Sequence, residues 1–77
     1  MTLGDLGVGD EGRVVGFAKG SRAYRNKLLA MGLTPGTAFS VTRFAPLGDP
    51  VQIRVRGFAL SLRRREATAL LVEKCPS

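Results

Sequence analysis

Val51, Ile53 and Val55 alternate with Gln52, Arg54 and Arg56 in the clearest period-two run of the chain, the pattern of a strand with one buried face. Upstream, Thr37 to Ala45 reads as another strand, with Phe39 and Val41 on one side and Ser40, Thr42 and Phe44 on the other. Arg13-Val14-Val15-Gly16-Phe17 reads as a shorter one, rich in β-branched and aromatic residues. Gly57 permits a tight reversal, after which Phe58, Leu60 and Leu62 alternate with Ala59 and Ser61. Leu70, Leu71 and Val72 form the last strand.

Between the first strand and Thr37 the period changes. Tyr24, Leu28 and Met31 recur at helical spacing with Leu29 beside them, which predicts a helix from about Arg22 to Met31 with Ser21 as its N-cap and Gly32 as its stop. Thr34-Pro35-Gly36-Thr37 carries the Pro-Gly pair of a type II turn, and Leu47-Gly48-Asp49-Pro50 that of a hairpin bend. Arg63-Arg64-Arg65-Glu66 is too polar to continue a strand and reads as a short turn or 3₁₀ segment. Leu3, Leu6 and Val8, interleaved with Gly4, Gly7 and Gly9, read as an irregular entry with apolar anchors that turns at Asp10-Glu11-Gly12; Cys75-Pro76-Ser77 is a tail. The sum is mainly β: a single domain over residues 1–77, expected as a small SH3-like β-barrel of about five strands with one inserted α-helix, since closure removes exposed edges.

Composition narrows the chemistry. With 77 residues, 44% apolar and 23% charged, the chain is in the range of one globular domain. Cys75 is the one cysteine and histidine is absent, so no disulfide forms within the chain and no Cys/His zinc cluster assembles. With histidine absent, neither a metal site nor a cofactor is expected. The start Met1-Thr-Leu-Gly-Asp lacks the basic and apolar regions of a secretory signal and no apolar stretch approaches spanning length, so a cytoplasmic location is expected. Twelve Lys/Arg against six Asp/Glu give a charge of +6, which suits nucleic acid, an acidic protein face or an anionic membrane surface.

Gly7-Val8-Gly9-Asp10-Glu11-Gly12 matches G-x-G-x-x-G, but a dinucleotide site needs a strand before it and a helix after it, and here a strand follows. The scattered acids pair with no base, and Cys75 has none near it in sequence, so an enzyme is not expected. Arg54 and Arg56 share a strand face and Arg63, Arg64 and Arg65 follow a short loop later, a pattern that fits either one basic patch or a solvated charged face. A small basic nucleic-acid-binding barrel is therefore the alternative reading. Against it, Phe17, Tyr24, Phe39, Phe44 and Phe58 look committed to the core, whereas a stacking platform exposes its rings. Proline-rich peptide recognition is disfavoured too, with no Trp and a single Tyr.

The helical stripe is first of all core packing, yet so small a barrel is not expected to bury all of Leu28, Leu29, Met31 and Leu33, which leaves apolar surface for a partner. The run AYRNKLLAMGLTPGTAFSVTRFAPLGDPVQIRVRGFALSLRRREA resembles the characteristic core of the FeoA family of ferrous iron transport accessory proteins. The specific parts are the helix ending Leu28-Leu29-Ala30-Met31-Gly32-Leu33, the Pro35-Gly36 turn, the Ala45-to-Pro50 bend and Leu60-Ser61-Leu62-Arg63. The resemblance implies an SH3-like barrel, no catalysis, and as partner the FeoB membrane transporter with its cytoplasmic GTPase domain. On that basis Tyr24, Leu28, Leu29, Met31 and Leu33 are expected to contact the transporter, with Leu47, Gly48, Asp49 and Pro50 shaping the contact or only fixing the hairpin. No nucleic acid is expected; an anionic membrane surface beside the transporter and self-association remain open.

Overall fold

The computed structural model describes residues 1–20, 22–46 and 49–75. Its elements are β1 (Glu11–Phe17), α1 (Arg22–Ala30), β2 (Ala38–Phe44), β3 (Val51–Val55), β4 (Phe58–Leu62), α2 (Arg64–Ala69) and β5 (Leu70–Lys74), after a 3₁₀ turn at Leu3–Asp5; the strands and α1 follow the apolar pattern. The strands form one antiparallel sheet in the order β4-β3-β2-β1-β5. Val51, Ile53 and Val55 are buried, as their alternation predicts, and they join Leu3, Leu6, Val14, Leu28, Leu33, Phe39, Val41, Leu62, Leu70 and Val72 in one core.

Two β-bulges break the simple alternation. In β2 the register shifts between Val41 and Arg43, so Val41 lies opposite Ile53 and Phe44 opposite Val51. Phe44 therefore turns to the core face and packs against the buried cluster, not onto the other face as strict alternation predicts. In β1 the shift falls between Val14 and Gly16, which lets Val14 and Phe17 both face the core while Val15 is left exposed. Val8 is likewise exposed, so the anchors of the entry segment are Leu3 and Leu6 alone.

Gly12 belongs to β1 and not to a turn. A Cβ built there would lie 2.8 Å from Phe39 Cζ and 2.9 Å from the carbonyl oxygen of Glu73. The ring can shift but the β5 backbone cannot without losing its ladder, so Gly12→Ala should cost about 1 to 3 kcal/mol. Thermal or urea unfolding checks this; an unchanged midpoint would show that β1 and β5 are less closely apposed.

The end of α1 follows from the sequence in atomic detail. Gly32 takes φ 92°, the Leu33 N–H donates to the Leu28 carbonyl at 3.0 Å and the Gly32 N–H to Leu29 at 3.0 Å. This is a Schellman cap, and its apolar contact is between Leu28 and Leu33, both wholly buried. The type II turn follows, closed by Thr37 N–H to the Thr34 carbonyl at 3.0 Å with Gly36 at φ 92°. The expected N-cap Ser21 lies outside the described residues, as do Leu47 and Gly48 of the hairpin bend and Pro76 and Ser77 of the tail.

The segment expected as a turn or 3₁₀ piece is a second helix, α2, so the domain carries two helices. Its polar appearance misleads because Glu66 points inward at 3% exposure. One carboxylate oxygen accepts the Arg63 N–H at 2.8 Å, and the other pairs with the Lys27 ammonium on α1. Ala67 and Ala69, too small to register as an apolar stripe, are buried beside it.

Candidate docking surface

The residues expected to meet a partner divide by depth. Leu28 and Leu33 are wholly buried and belong to the core, so the expectation that they present an apolar surface is corrected: the Schellman cap turns both inward. Tyr24 and Met31 are half-buried against that core, and Leu29 is half-buried on α1.

Met31 and Gly32 form one wall of an open groove of about 340 Å³ whose remaining lining is Val55, Arg56, Phe58, Ala59 and Leu60. That is at the small end of ligand sites and fits a side chain or two. Phe58 is the residue the sequence reading missed. Alternation places it correctly on the core side of β4, opposite Val55. Yet β4 is an edge strand and Phe58 is its first residue, beyond the reach of the core, so the residue is 72% exposed. Position next to a predicted reversal is the sequence signal that distinguishes it from Leu60 and Leu62.

The arginines also redistribute. Arg54 is exposed on β3, but Arg56 is not on the same strand face: it sits in the two-residue β3–β4 turn at φ 52°, followed by Gly57 at φ 84°. Two successive positive φ angles make the turn of type I′, whose twist matches paired strands. Arg63 precedes α2 and Arg64 and Arg65 open it, at the far end of β4. Strand rise of about 3.3 Å per residue over the four residues from Ala59, opposite Arg54, to Arg63 sets the two groups roughly 13 Å or more apart along the backbone.

Asp49 and Pro50 of the bend lie at the same end as α2. The Asp49 carboxylate accepts the Arg64 N–H at 3.2 Å, and the Ala45 N–H donates to the Pro50 carbonyl at 3.1 Å. Asp49 thus satisfies one of the unpaired donors in the first turn of α2. Asp49→Ala should cost roughly 0.5 to 1 kcal/mol, the usual range for a lost exposed cap, readable as a lower unfolding midpoint; an unchanged midpoint would mean the contact contributes nothing.

No three of the His, Cys, Asp and Glu side chains among the described residues are grouped so as to hold a metal ion. No helix among them is long and apolar enough to cross a membrane.

The family model described as FeoA domain matches residues 1–74. The Fe(2+) transport protein A/Fe(2+) transporter FeoB fusion protein of Porphyromonas gingivalis is 37% identical over 73 residues, 95% of this chain, which spans only 8% of that relative's length. The NMR structure of a FeoA-like protein from Clostridium acetobutylicum matches at TM-score 0.90 and 35% identity, with 100% of this chain and 88% of that one covered. The crystal structure of Stenotrophomonas maltophilia FeoA complexed with zinc, described as a prokaryotic SH3 domain protein, matches at TM-score 0.80 and 24% identity over 95% of this chain and 89% of that one. The architecture is the SH3-like one expected from the sequence.

Proposed function

The chain belongs to the FeoA domain family, and from that premise we propose that it is a non-enzymatic accessory protein of ferrous iron uptake that acts by direct contact with a FeoB-type transporter. The observation that carries this is the fused relative, in which a domain 37% identical to nearly the whole of this chain shares one polypeptide with the transporter. A fused domain meets its target at high effective concentration. In this reading the half-buried Tyr24, Leu29 and Met31 lie near the contact, and the effect falls on the assembly, opening or nucleotide turnover of the transporter. The chain is then held at the membrane through its partner.

The test is binding of the purified chain to full-length FeoB in lipid nanodiscs, with empty anionic nanodiscs and random RNA as parallel ligands across a salt series. Saturable binding to the transporter alone is the expected result. Binding to RNA with a steep salt slope and none to the transporter would replace this reading with the nucleic-acid one. Equal binding to empty nanodiscs would make the basic surface a lipid contact.

A further inference from the structure

The sheet has two edges, and they are treated differently. The outer side of β5 is covered by the N-terminal segment: Thr2 bridges Leu71, and the Val72 N–H donates to the Met1 carbonyl at 2.9 Å. The outer side of β4 has no such cover among the described residues. In a two-residue hairpin the pair flanking the turn, Val55 and Phe58, exchanges hydrogen bonds, and the pattern then repeats at Ile53 with Leu60 and Val51 with Leu62. Ala59 and Ser61 consequently aim their N–H and C=O groups away from the sheet. Exposed edges of this kind are templates for another strand.

Three further features surround that edge. The apolar groove of Met31, Val55, Phe58 and Leu60 runs beside it, where alternate side chains of an added strand would fall. The exposed Phe58 stands at its mouth. Arg56 lines the same groove from a left-handed backbone position that a glycine or asparagine would occupy at less cost.

Charge selects the occupant. Arg54 and Arg56 carry no ion pair among the described residues. The acids lie elsewhere: Asp5 accepts the Thr2 N–H in the N-terminal 3₁₀ turn, Asp10 pairs with Lys74, Glu66 with Lys27, Asp49 is bonded to α2, and Glu11 and Glu73 are on β1 and β5. A second copy added antiparallel at the same edge would bring its Arg63, Arg64 and Arg65 towards Arg56, a like-charge approach that opposes edge-to-edge association.

We propose that the outer edge of β4 takes an extended segment of a partner protein by strand addition, its large apolar side chains entering the groove beside Phe58 and its acidic side chains meeting Arg56 and Arg54. This rests on the reading above that the chain works through a protein contact, and names the surface and the chemistry of that contact.

The test has two arms. In the first, the full chain is titrated by NMR with a short peptide alternating Glu or Asp with Val, Ile or Leu, against the same peptide with Lys in place of the acids. The proposal expects shifts centred on β4, Arg56 and Met31, slowed amide exchange at Ala59 and Ser61, and no binding of the basic peptide. Phe58→Ser should weaken binding about tenfold or more, as truncation of a central aromatic anchor does, with Tm little changed. Arg56→Gly should hold or raise Tm while weakening the peptide. Shifts spread over Lys19, Arg22 and Arg25, unchanged affinity in Phe58→Ser, or dimerisation through β4 would each overturn the proposal. In the second arm, wild type and Phe58→Ser are compared on FeoB nanodiscs. Equal binding by both sinks the edge proposal and leaves the accessory reading standing. Binding by neither sinks the accessory reading, and the peptide arm still decides whether the edge accepts a strand.

Discussion

Leu28→Ala should destabilise the domain by about 2 to 5 kcal/mol, the range for truncating a wholly buried leucine whose surroundings relax only in part. Leu28 has no exposed surface, and its carbonyl accepts the Leu33 N–H that turns the chain out of α1. Truncation removes one side of the apolar contact inside the Schellman cap, so the loss includes the joint between α1 and the turn before β2. Native domains are stable by only about 5 to 15 kcal/mol, and a 77-residue chain has a thin core, so this single change should remove a large share of the stability. Urea unfolding followed by circular dichroism reads it directly. Leu29→Ala, at a half-buried site, should cost clearly less. A loss below about 1 kcal/mol for Leu28→Ala would be outside the core range, and would return Leu28 to the partner surface.

Lys27→Met should cost roughly 2 to 3 kcal/mol although the Lys27 side chain is 60% exposed. The asymmetry lies in its partner. Removing the ammonium leaves a carboxylate that is buried and holds only the Arg63 N–H. Glu66→Gln should cost less, about 1 kcal/mol, because the amide oxygen keeps the Arg63 bond and the freed lysine turns into water. Burial acts to raise the Glu66 pKa, but the Lys27 bond and the Arg63 N–H outweigh it and hold the group below its ordinary 4.5. A carboxyl lowered by folding adds stability that is present in full above its unfolded value and is lost as pH falls through the folded one. Wild-type stability should therefore decline below about pH 4.5. In Lys27→Met the decline should be shallower or absent, since burial is then opposed only by the Arg63 N–H and the Arg63 charge, and the folded-state pKa moves back up. Unfolding midpoints measured from pH 3 to 7 at fixed salt, roughly spanning the carboxylate range, test both statements; superimposable wild-type and Lys27→Met profiles would refute the coupling.

Much of the local structure was legible because its causes are local. Gly32 stops α1, Pro35-Gly36 makes the turn, and Gly57 helps close the β3–β4 hairpin, each by a backbone preference carried within a few residues. The apolar faces of β3 and β4 were legible for the same reason, since a period of two needs no partner to be seen. Illegible were the bulges at Val15 and Thr42, which re-aim Phe17 and Phe44 by adding a residue against a partner strand. The helix α2 was hidden as well, because its stabilising contact is to Lys27, far away in sequence.

Taken alone, then, the sequence determined the number of strands, the place of the main helix, most of the turns and the family. It also carried the basic charge, which by itself suits nucleic acid, an acidic protein face or an anionic membrane surface alike. Only the tertiary structure decided which apolar residues are core and which are surface. Leu28 and Phe58 look alike in a hydropathy pattern, yet one closes against Leu33 beneath the sheet and the other stands on an uncovered edge. Burial is a property of what packs from outside the element, and a one-dimensional period carries no record of which strand has no neighbour.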